Sequence, residues 1–431
     1  TVVDTNETLL RDLQDRLDIR TVCGNASYPT ILEAAGAKEA DILVALTSSD
    51  ETNMMACEVA YTLYRTPTKI ARIRSAEYTR HAKLFSAEAL SVDVWISPEQ
   101  LVTEYIERLI RYPGALQVLD FADGRVRLVG LSARKGGLLV GQALRNLRAH
   151  IPNTEGRVVA IYRNGRSVLP TGDTVIEDGD EVFFLAHQNA IKAMMSEFRS
   201  ADKRLTKRIF ISGGGGIGRR LARSLEKRYS VKVLERSRDR ARGIAEDLLN
   251  TIVLVGDCAD EDLLREENID QTDVYCALTN DDEANILSAM LAKRLGCPRV
   301  VALINRASYA ELVEGSTIDI AISPQSVTLS ALLSHIREGA PERVYSLRRG
   351  AAEAIEVVVR GDRRSSRVVG RELDELALPD STTIGGIVRG DELLIAHHDV
   401  VIEPGDHIIL FVADKRDLPA VIALFKEVDW H

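Results

Sequence analysis

Residues 207–218 read K-R-I-F-I-S-G-G-G-G-I-G. Lys207–Ser212 is an apolar strand, and the glycines after it fit G-x-G-x-x-G. A helical stretch follows over Arg219–Arg228, then a second strand over Ser230–Glu235. Glu235 stands 235 − 213 = 22 residues beyond the first glycine. Strand, glycine loop, helix and spaced acid together make a dinucleotide-binding fingerprint. Gly213 permits the tight turn, Gly215 lets backbone approach a pyrophosphate, and Gly218 lets helix and strand pack closely. Gly214, Gly216 and Ile217 complete the loop, whose helix N-terminus offers free N–H groups to phosphate. Glu235 is expected to accept hydrogen bonds from the ribose hydroxyls. Arg236, next to it, could instead turn toward a 2′-phosphate. The alternative is a glycine-rich turn that holds no ligand.

Outward from this loop, the chain repeats itself. Residues 41–53 read D-I-L-V-A-L-T-S-S-D-E-T-N and residues 273–285 read D-V-Y-C-A-L-T-N-D-D-E-A-N, an offset of 273 − 41 = 232. In order with them, Asp4 aligns with Glu235, Gly24 with Gly256 and Tyr78 with Tyr309. Ser97-Pro98 returns as Ser323-Pro324, and I-E-x-G-D at 176–180 returns at 402–406. The period is too long for a solenoid unit and reads as duplication of a two-part module. Strands alternating with helices predict parallel sheets in 1–112 and 205–338. Short alternating strands with Gly and Asp turns predict small α+β units in 113–200 and 342–431. The expected fold class is therefore α/β, with two Rossmann-like domains each followed by a small α+β domain.

Thr1 maps to position 1 + 231 = 232, whereas the second copy's first strand starts near Lys207. The first copy thus lacks about 232 − 207 = 25 residues of its counterpart. A doubly wound sheet without its central strand leaves backbone groups unpaired. We expect a strand, glycine loop and helix ahead of Thr1.

Other repeated polar positions fall at strand C-termini, where open α/β sheets bind ligands. Asn25-Ala26 and Asp257-Cys258 could meet an adenine edge, and Thr47-Ser48 and Thr279-Asn280 a ribose or phosphate. Arg72 and Arg74 follow the next strand, where the second copy has Leu303 and Asn305. The Arg74–Asn305 difference suggests that the two copies differ in ligand or affinity. For each position a helix cap or Asx-turn is an equal alternative. Asp50 and Asp282 precede helices, and capping is the favoured reading of both.

The sequence of 431 residues carries a formal net charge of −9 and has no basic block, which argues against nucleic-acid binding. No run of 18 apolar residues occurs. Five cysteines without C-x-x-C argue against a disulfide framework or zinc site and favour a reducing cytoplasm. The histidines at 81, 150, 187, 335, 397, 398, 407 and 431 do not recur between copies. His397 and His398 are adjacent on an expected strand and so face opposite ways, which disfavours one shared metal. No G-x-S-x-G, H-E-x-x-H or Walker A pattern is present. Nucleotide-binding features without a catalytic set point to a sensor. An NAD-dependent oxidoreductase and an empty scaffold are the alternatives.

The chain resembles the TrkA family, the cytoplasmic regulatory subunits of bacterial Trk potassium uptake. The resemblance is carried by T-V-V-D at 1–4, L-T-S-S-D-E-T-N-M at 46–54, I-A-R-I-R-S at 70–75 and E-Y-I-E-R-L-I-R-Y-P-G-A-L-Q-V at 104–118. It continues in L-T-N-D-D-E-A-N-I at 278–286, S-A-M-L-A-K-R at 288–294, I-D-I-A-I-S-P-Q at 318–325 and S-L-R-R-G-A-A-E-A-I-E at 346–356. It implies tandem RCK units, each an RCK_N nucleotide domain plus an RCK_C domain. It implies binding of NAD(H), with ATP or ADP as further ligands, and no catalysis. It also implies a homo-tetrameric ring docked on an integral-membrane potassium channel or transporter subunit of the TrkH/TrkG type, at the inner face of the cell's inner membrane. Gly214–Gly218 and Glu235 match the family's second nucleotide loop and ribose acid. Asp4, Thr47, Ser48 and Arg72 match its first site. The first glycine loop is a departure, being absent from this sequence. Cys258 is another, standing where a smaller residue is usual.

Overall fold

A computed structural model describes residues 1–431 except 87–88, 153–154, 200–206, 314–316, 337–340, 348–351, 396–399 and 427–431. It divides into two compact units, Thr1–Leu101 and Val102–His431.

In the larger unit, apolar runs such as Val274–Ala277 and Val300–Leu303 are buried at every position. A strand covered on both faces has this continuous pattern, which is that of a parallel sheet. Six parallel strands lie in the order Thr251–Val255, Ser230–Glu235, Arg208–Ser212, Val274–Ala277, Val300–Leu303, Ile320–Ile322. Numbered along the chain this order is 3-2-1-4-5-6, that of a doubly wound dinucleotide fold. Strand order reverses between Arg208–Ser212 and Val274–Ala277, so the expected ligand crevice opens beyond Ser212 and Ala277. The repeated Ser-Pro pair starts the helix after the last strand. Ser323 Oγ accepts from the Ser326 N–H at 3.3 Å, and Pro324 takes the first helical turn, where its missing N–H costs nothing.

Two five-stranded antiparallel sheets complete this unit. Ala115–Phe121, Val126–Ser132, Glu181–His187, Gly156–Arg163 and Arg166–Val168 form one, in that spatial order. Arg343–Leu347, Ala352–Val358, His407–Val412, Thr382–Arg389 and Glu392–Ile395 form the other, with the same order. Each carries a bulge at the matching place, with Val159 the extra residue in one sheet and Gly385 in the other. The repeated I-E-x-G-D closes the same ion pair twice. Arg163 grips buried Asp180 at 2.9 Å through two nitrogens, and Arg389 grips buried Asp406 at 2.8 Å through two. The two sheets share one apolar layer, with Leu119, Phe121, Leu128 and Phe183 against Leu347, Val388, Ile409 and Phe411.

The smaller unit holds the counterparts of five of the six parallel strands. Val2–Asp4 pairs with Thr21–Cys23, while Ile42–Ala45, Thr68–Arg72 and Val94–Ile96 form a separate sheet. Among the described residues no strand bridges the two pieces, at the place where Arg208–Ser212 lies in the other copy. The helix over Pro29–Ala34 was not expected from the sequence, being too short for a periodic apolar pattern.

Candidate functional site

Gly213 has φ +103°, and a Cβ there would come within 2.8 Å of the Leu278 carbonyl and the Thr279 nitrogen. A Cβ on Gly218 would sit 1.9 Å from the Gly213 carbonyl oxygen. The turn is thus folded back on its own helix, and only glycines permit it. At Gly214 a Cβ would meet the tip of the Ile244 side chain, whose Cδ1 lies 2.3 Å away. Gly215 differs, because nothing lies within 4 Å of its missing side chain. It is the N-cap of the helix Gly216–Leu225, and it and Gly216 are exposed. The first-turn N–H groups, which no helical carbonyl reaches, therefore open outward at Gly215–Ile217. A helix N-terminus left open in this way can take an anion.

Glu235 lies beside the loop, buried at the end of its strand. Its Oε2 accepts from the Gly214 N–H at 3.1 Å, and its Oε1 from the Ser237 N–H at 2.9 Å. Arg240 donates to the same Oε1 through Nε at 3.2 Å and a terminal nitrogen at 2.8 Å. Burial alone would push this carboxyl's pKa up, but the Ser237 N–H, Arg240 and the Gly214 N–H outweigh it and hold the pKa below the ordinary value. Arg236, which the sequence suggested as a possible anion partner, is exposed.

The remaining predicted positions lie at the strand ends as expected, and several have local partners. Asp257 Oδ1 accepts from the Ala259 N–H, and Asn25 Oδ1 from the Ser27 N–H, each at 2.9 Å. Both are Asx-turns. Cys258 is half-buried against the apolar layer of its sheet, and Ala26 packs similarly in the first copy. The Thr279 hydroxyl donates to Asn285 at 2.7 Å, and Thr47 to Asn53 at 2.7 Å. Asn285 also donates to the Leu303 carbonyl at 2.9 Å, and Asn53 to the Arg72 carbonyl at 2.9 Å. These fully buried asparagines clamp the ends of neighbouring strands in both copies. The sequence signal was present, since both close the repeated run. Ser48 and Asn280 are exposed beside them.

The capping reading of Asp50 and Asp282 is corrected. Ser49 and Asp281 are the caps of those helices, and both are in extended backbone. Asp282 is already helical and points its carboxylate across the sheet, accepting from the N–H groups of Asn305 at 2.9 Å and Arg306 at 2.8 Å. Asp50 does the same for Arg74 at 3.0 Å and Ser75 at 2.8 Å. Asn305 Nδ2 also donates to Asp282, at 2.9 Å. Arg74 approaches Asp50 at 3.6 Å and donates to the Ser48 carbonyl. Arg72 pairs with Glu99 at 3.5 Å, and Asp4 accepts from the Asn6 N–H at 2.8 Å.

His397 and His398 lie outside the described residues. Among the described residues, no group of His, Cys, Asp and Glu is set to hold a metal, and no helix is long and apolar enough to cross a membrane.

Comparison with known proteins gives the same architecture. The TrkA-N domain model matches residues 1–98 and 209–324, and the TrkA-C domain model matches 128–199 and 363–426. A Trk system potassium uptake protein TrkA of Halomonas elongata is 55% identical over 99% of this chain and 93% of its own length. The GsuK RCK domain crystal structure covers 98% of this chain and 89% of its own at 18% identity, with a TM-score of 0.61. The GsuK channel bound to NAD covers 98% of this chain and 74% of its own at 20% identity, also with a TM-score of 0.61.

Proposed function

This chain belongs to the TrkA family, and from that premise we propose that it is a nucleotide-sensing regulatory subunit that gates a membrane potassium transporter. The observation that carries this reading is the crevice at the strand-order reversal, where open first-turn N–H groups, a roomy Gly215 and a buried Glu235 converge. The partner is an integral-membrane potassium-transporting subunit. The chain works as a homo-tetramer on the cytoplasmic face of the membrane. NAD(H) is the favoured ligand of the second nucleotide unit, and ATP or ADP are further ligands. The relative solved with NAD, which shares this fold, supports that choice.

Nucleotides can drive a gate only through unequal affinity for its two states. Swinging a gate from mostly shut to mostly open takes on the order of 5.5 kcal/mol. A ring with several sites supplies this at about 1 kcal/mol each, within the usual coupling range. Potassium flux into vesicles holding the transporter and this protein should therefore change with NADH, ADP and ATP. Flux that ignores every nucleotide, at concentrations shown to bind, would refute the regulatory reading.

The same site should prefer NAD(H) to NADP(H), because the Glu235 carboxylate faces the ribose edge and repels a 2′-phosphate. Paired titrations read this directly. Tighter binding of NADP(H) would show that the arginines at 236 and 240 set the choice instead.

A further inference from the structure

The acceptor capacity of Glu235 is nearly used up before any ligand arrives. A carboxylate offers about four lone-pair directions. On Oε1 the Ser237 N–H takes one, at 2.9 Å, and the Arg240 guanidinium takes the other, at 2.8 and 3.2 Å. On Oε2 the Gly214 N–H takes one, at 3.1 Å. One direction remains, whereas a ribose diol presents two O–H donors. The first hydroxyl can use the open side of Oε2. The second must displace something from Oε1.

The three donors are not equally movable. Gly214 and Ser237 donate through backbone held in the loop and at the helix start. Ser237 caps that helix, Arg238–Asp247, and its Oγ accepts from the Arg240 N–H at 3.4 Å. Arg240 is thus fixed by its main chain but reaches Glu235 through a long side chain that is 67% exposed. It is the donor that can swing into water and keep its charge solvated. The first copy lacks this arrangement. Its acid is Asp4, and with the offset 235 − 4 = 231 the residue at 240 − 231 = 9 is Leu9.

We propose that Arg240 is a specificity-determining residue of the second nucleotide site, a built-in competitor that holds the ribose edge of Glu235 and yields only to a ribose diol. This rests on the reading that the crevice binds an adenine nucleotide. It gives the two copies unequal ribose sites, with the second one restrained.

The test uses the whole chain and two probes, ADP and 2′,3′-dideoxy-ADP, titrated calorimetrically. The first site's heat is taken from a Gly215→Asp variant. Both probes carry the same phosphates, so their affinity ratio isolates the hydroxyls. In Arg240→Leu, which copies the first site, the preference for ADP over the dideoxy probe should rise about two- to fivefold, the upper part of the range of an exposed ion pair. The unfolding midpoint without nucleotide reports any merely structural effect, and Arg240→Lys should keep part of the restraint. An unchanged or lower ratio in Arg240→Leu overturns the proposal while leaving nucleotide binding intact. A wild-type chain that binds neither probe overturns the nucleotide reading and this inference together.

Discussion

Gly215→Asp is expected to weaken nucleotide binding by the second site at least about a hundredfold, roughly 2.7 kcal/mol, while leaving the fold as stable as before. Both halves follow from one position. Gly215 is the N-cap of Gly216–Leu225 with φ −67° and ψ −169°, an extended conformation that any residue adopts. Its missing side chain points into open space. An aspartate fits there without moving a neighbour, and aspartate is among the best N-cap residues. Its carboxylate would accept from the same first-turn N–H groups that phosphate needs, and its charge would repel phosphate. The substitution therefore fills the anion site with the protein's own anion. Calorimetry with ADP or NADH measures the loss, and thermal unfolding measures the unchanged or slightly raised stability. In the wild type, ligand at about 100 times its Kd should add roughly 2.7 kcal/mol of stability, and the variant should lose that gain. Equal affinities would remove the loop from the site. A collapsed unfolding midpoint would show that a side chain at 215 disturbs the turn. Gly218 cannot serve for this test, since a Cβ 1.9 Å from the Gly213 carbonyl would damage the turn itself.

The strand that runs into the glycine loop could be read because each level of the sequence agreed there. Ile209–Ser212 is buried throughout, and the acid sits at the end of the next strand. Parallel sheets write themselves into sequence this way, as unbroken apolar runs separated by helices. The polar positions at the strand ends were harder. T-S-S-D and T-N-D-D each offer several capping side chains in a row, and composition cannot say which residue is still extended when the helix begins. Backbone geometry selects Ser49 and Asp281, which frees Asp50 and Asp282 to reach across to the next loop. Arg240 left no signal at all. It lies one turn into a helix of alternating charges, and its partner is five residues back rather than at the spacing of a helical pair. The duplication could not reveal it either, because the other copy has Leu9. The short alternating runs pointed to small α+β units but not to the layer between their sheets. Alternation tells which face is apolar without telling what covers it.

That layer sets the second large effect. Glu356→Ala is expected to cost about 3 kcal/mol of stability or more, the range found when one partner of a buried charged group is removed. Glu356 is fully buried on the Ala352–Val358 strand. Its Oε1 accepts from the Ala122 N–H at 3.0 Å and meets His407 Nδ1 at 2.5 Å, and Arg343 Nε lies 3.6 Å from Oε2. Ala122 belongs to the other small sheet, at a turn where Ala122, Asp123 and Gly124 all have positive φ, of 47°, 55° and 85°. Left-handed backbone costs a non-glycine residue about 1–2 kcal/mol, so this turn needs support from outside itself. Glu356 supplies it at Ala122, and Arg343 reaches Asp123 at 3.2 Å. At the matching register of the first small sheet stands Gly130, where a Cβ would strike the Phe183 ring at 2.6 Å, so the duplicated sheets have diverged where they meet. An alanine at 356 would leave the Ala122 N–H and His407 facing an apolar layer with no acceptor. Glu356→Gln keeps an oxygen for Ala122 and should lose less. Urea titration gives the stability change, and amide exchange at Ala122 should accelerate in the alanine variant before the rest of its sheet does. A stability within about 0.5 kcal/mol of wild type would mean that the turn holds itself. The joint between the small sheets would then rest on its apolar residues alone.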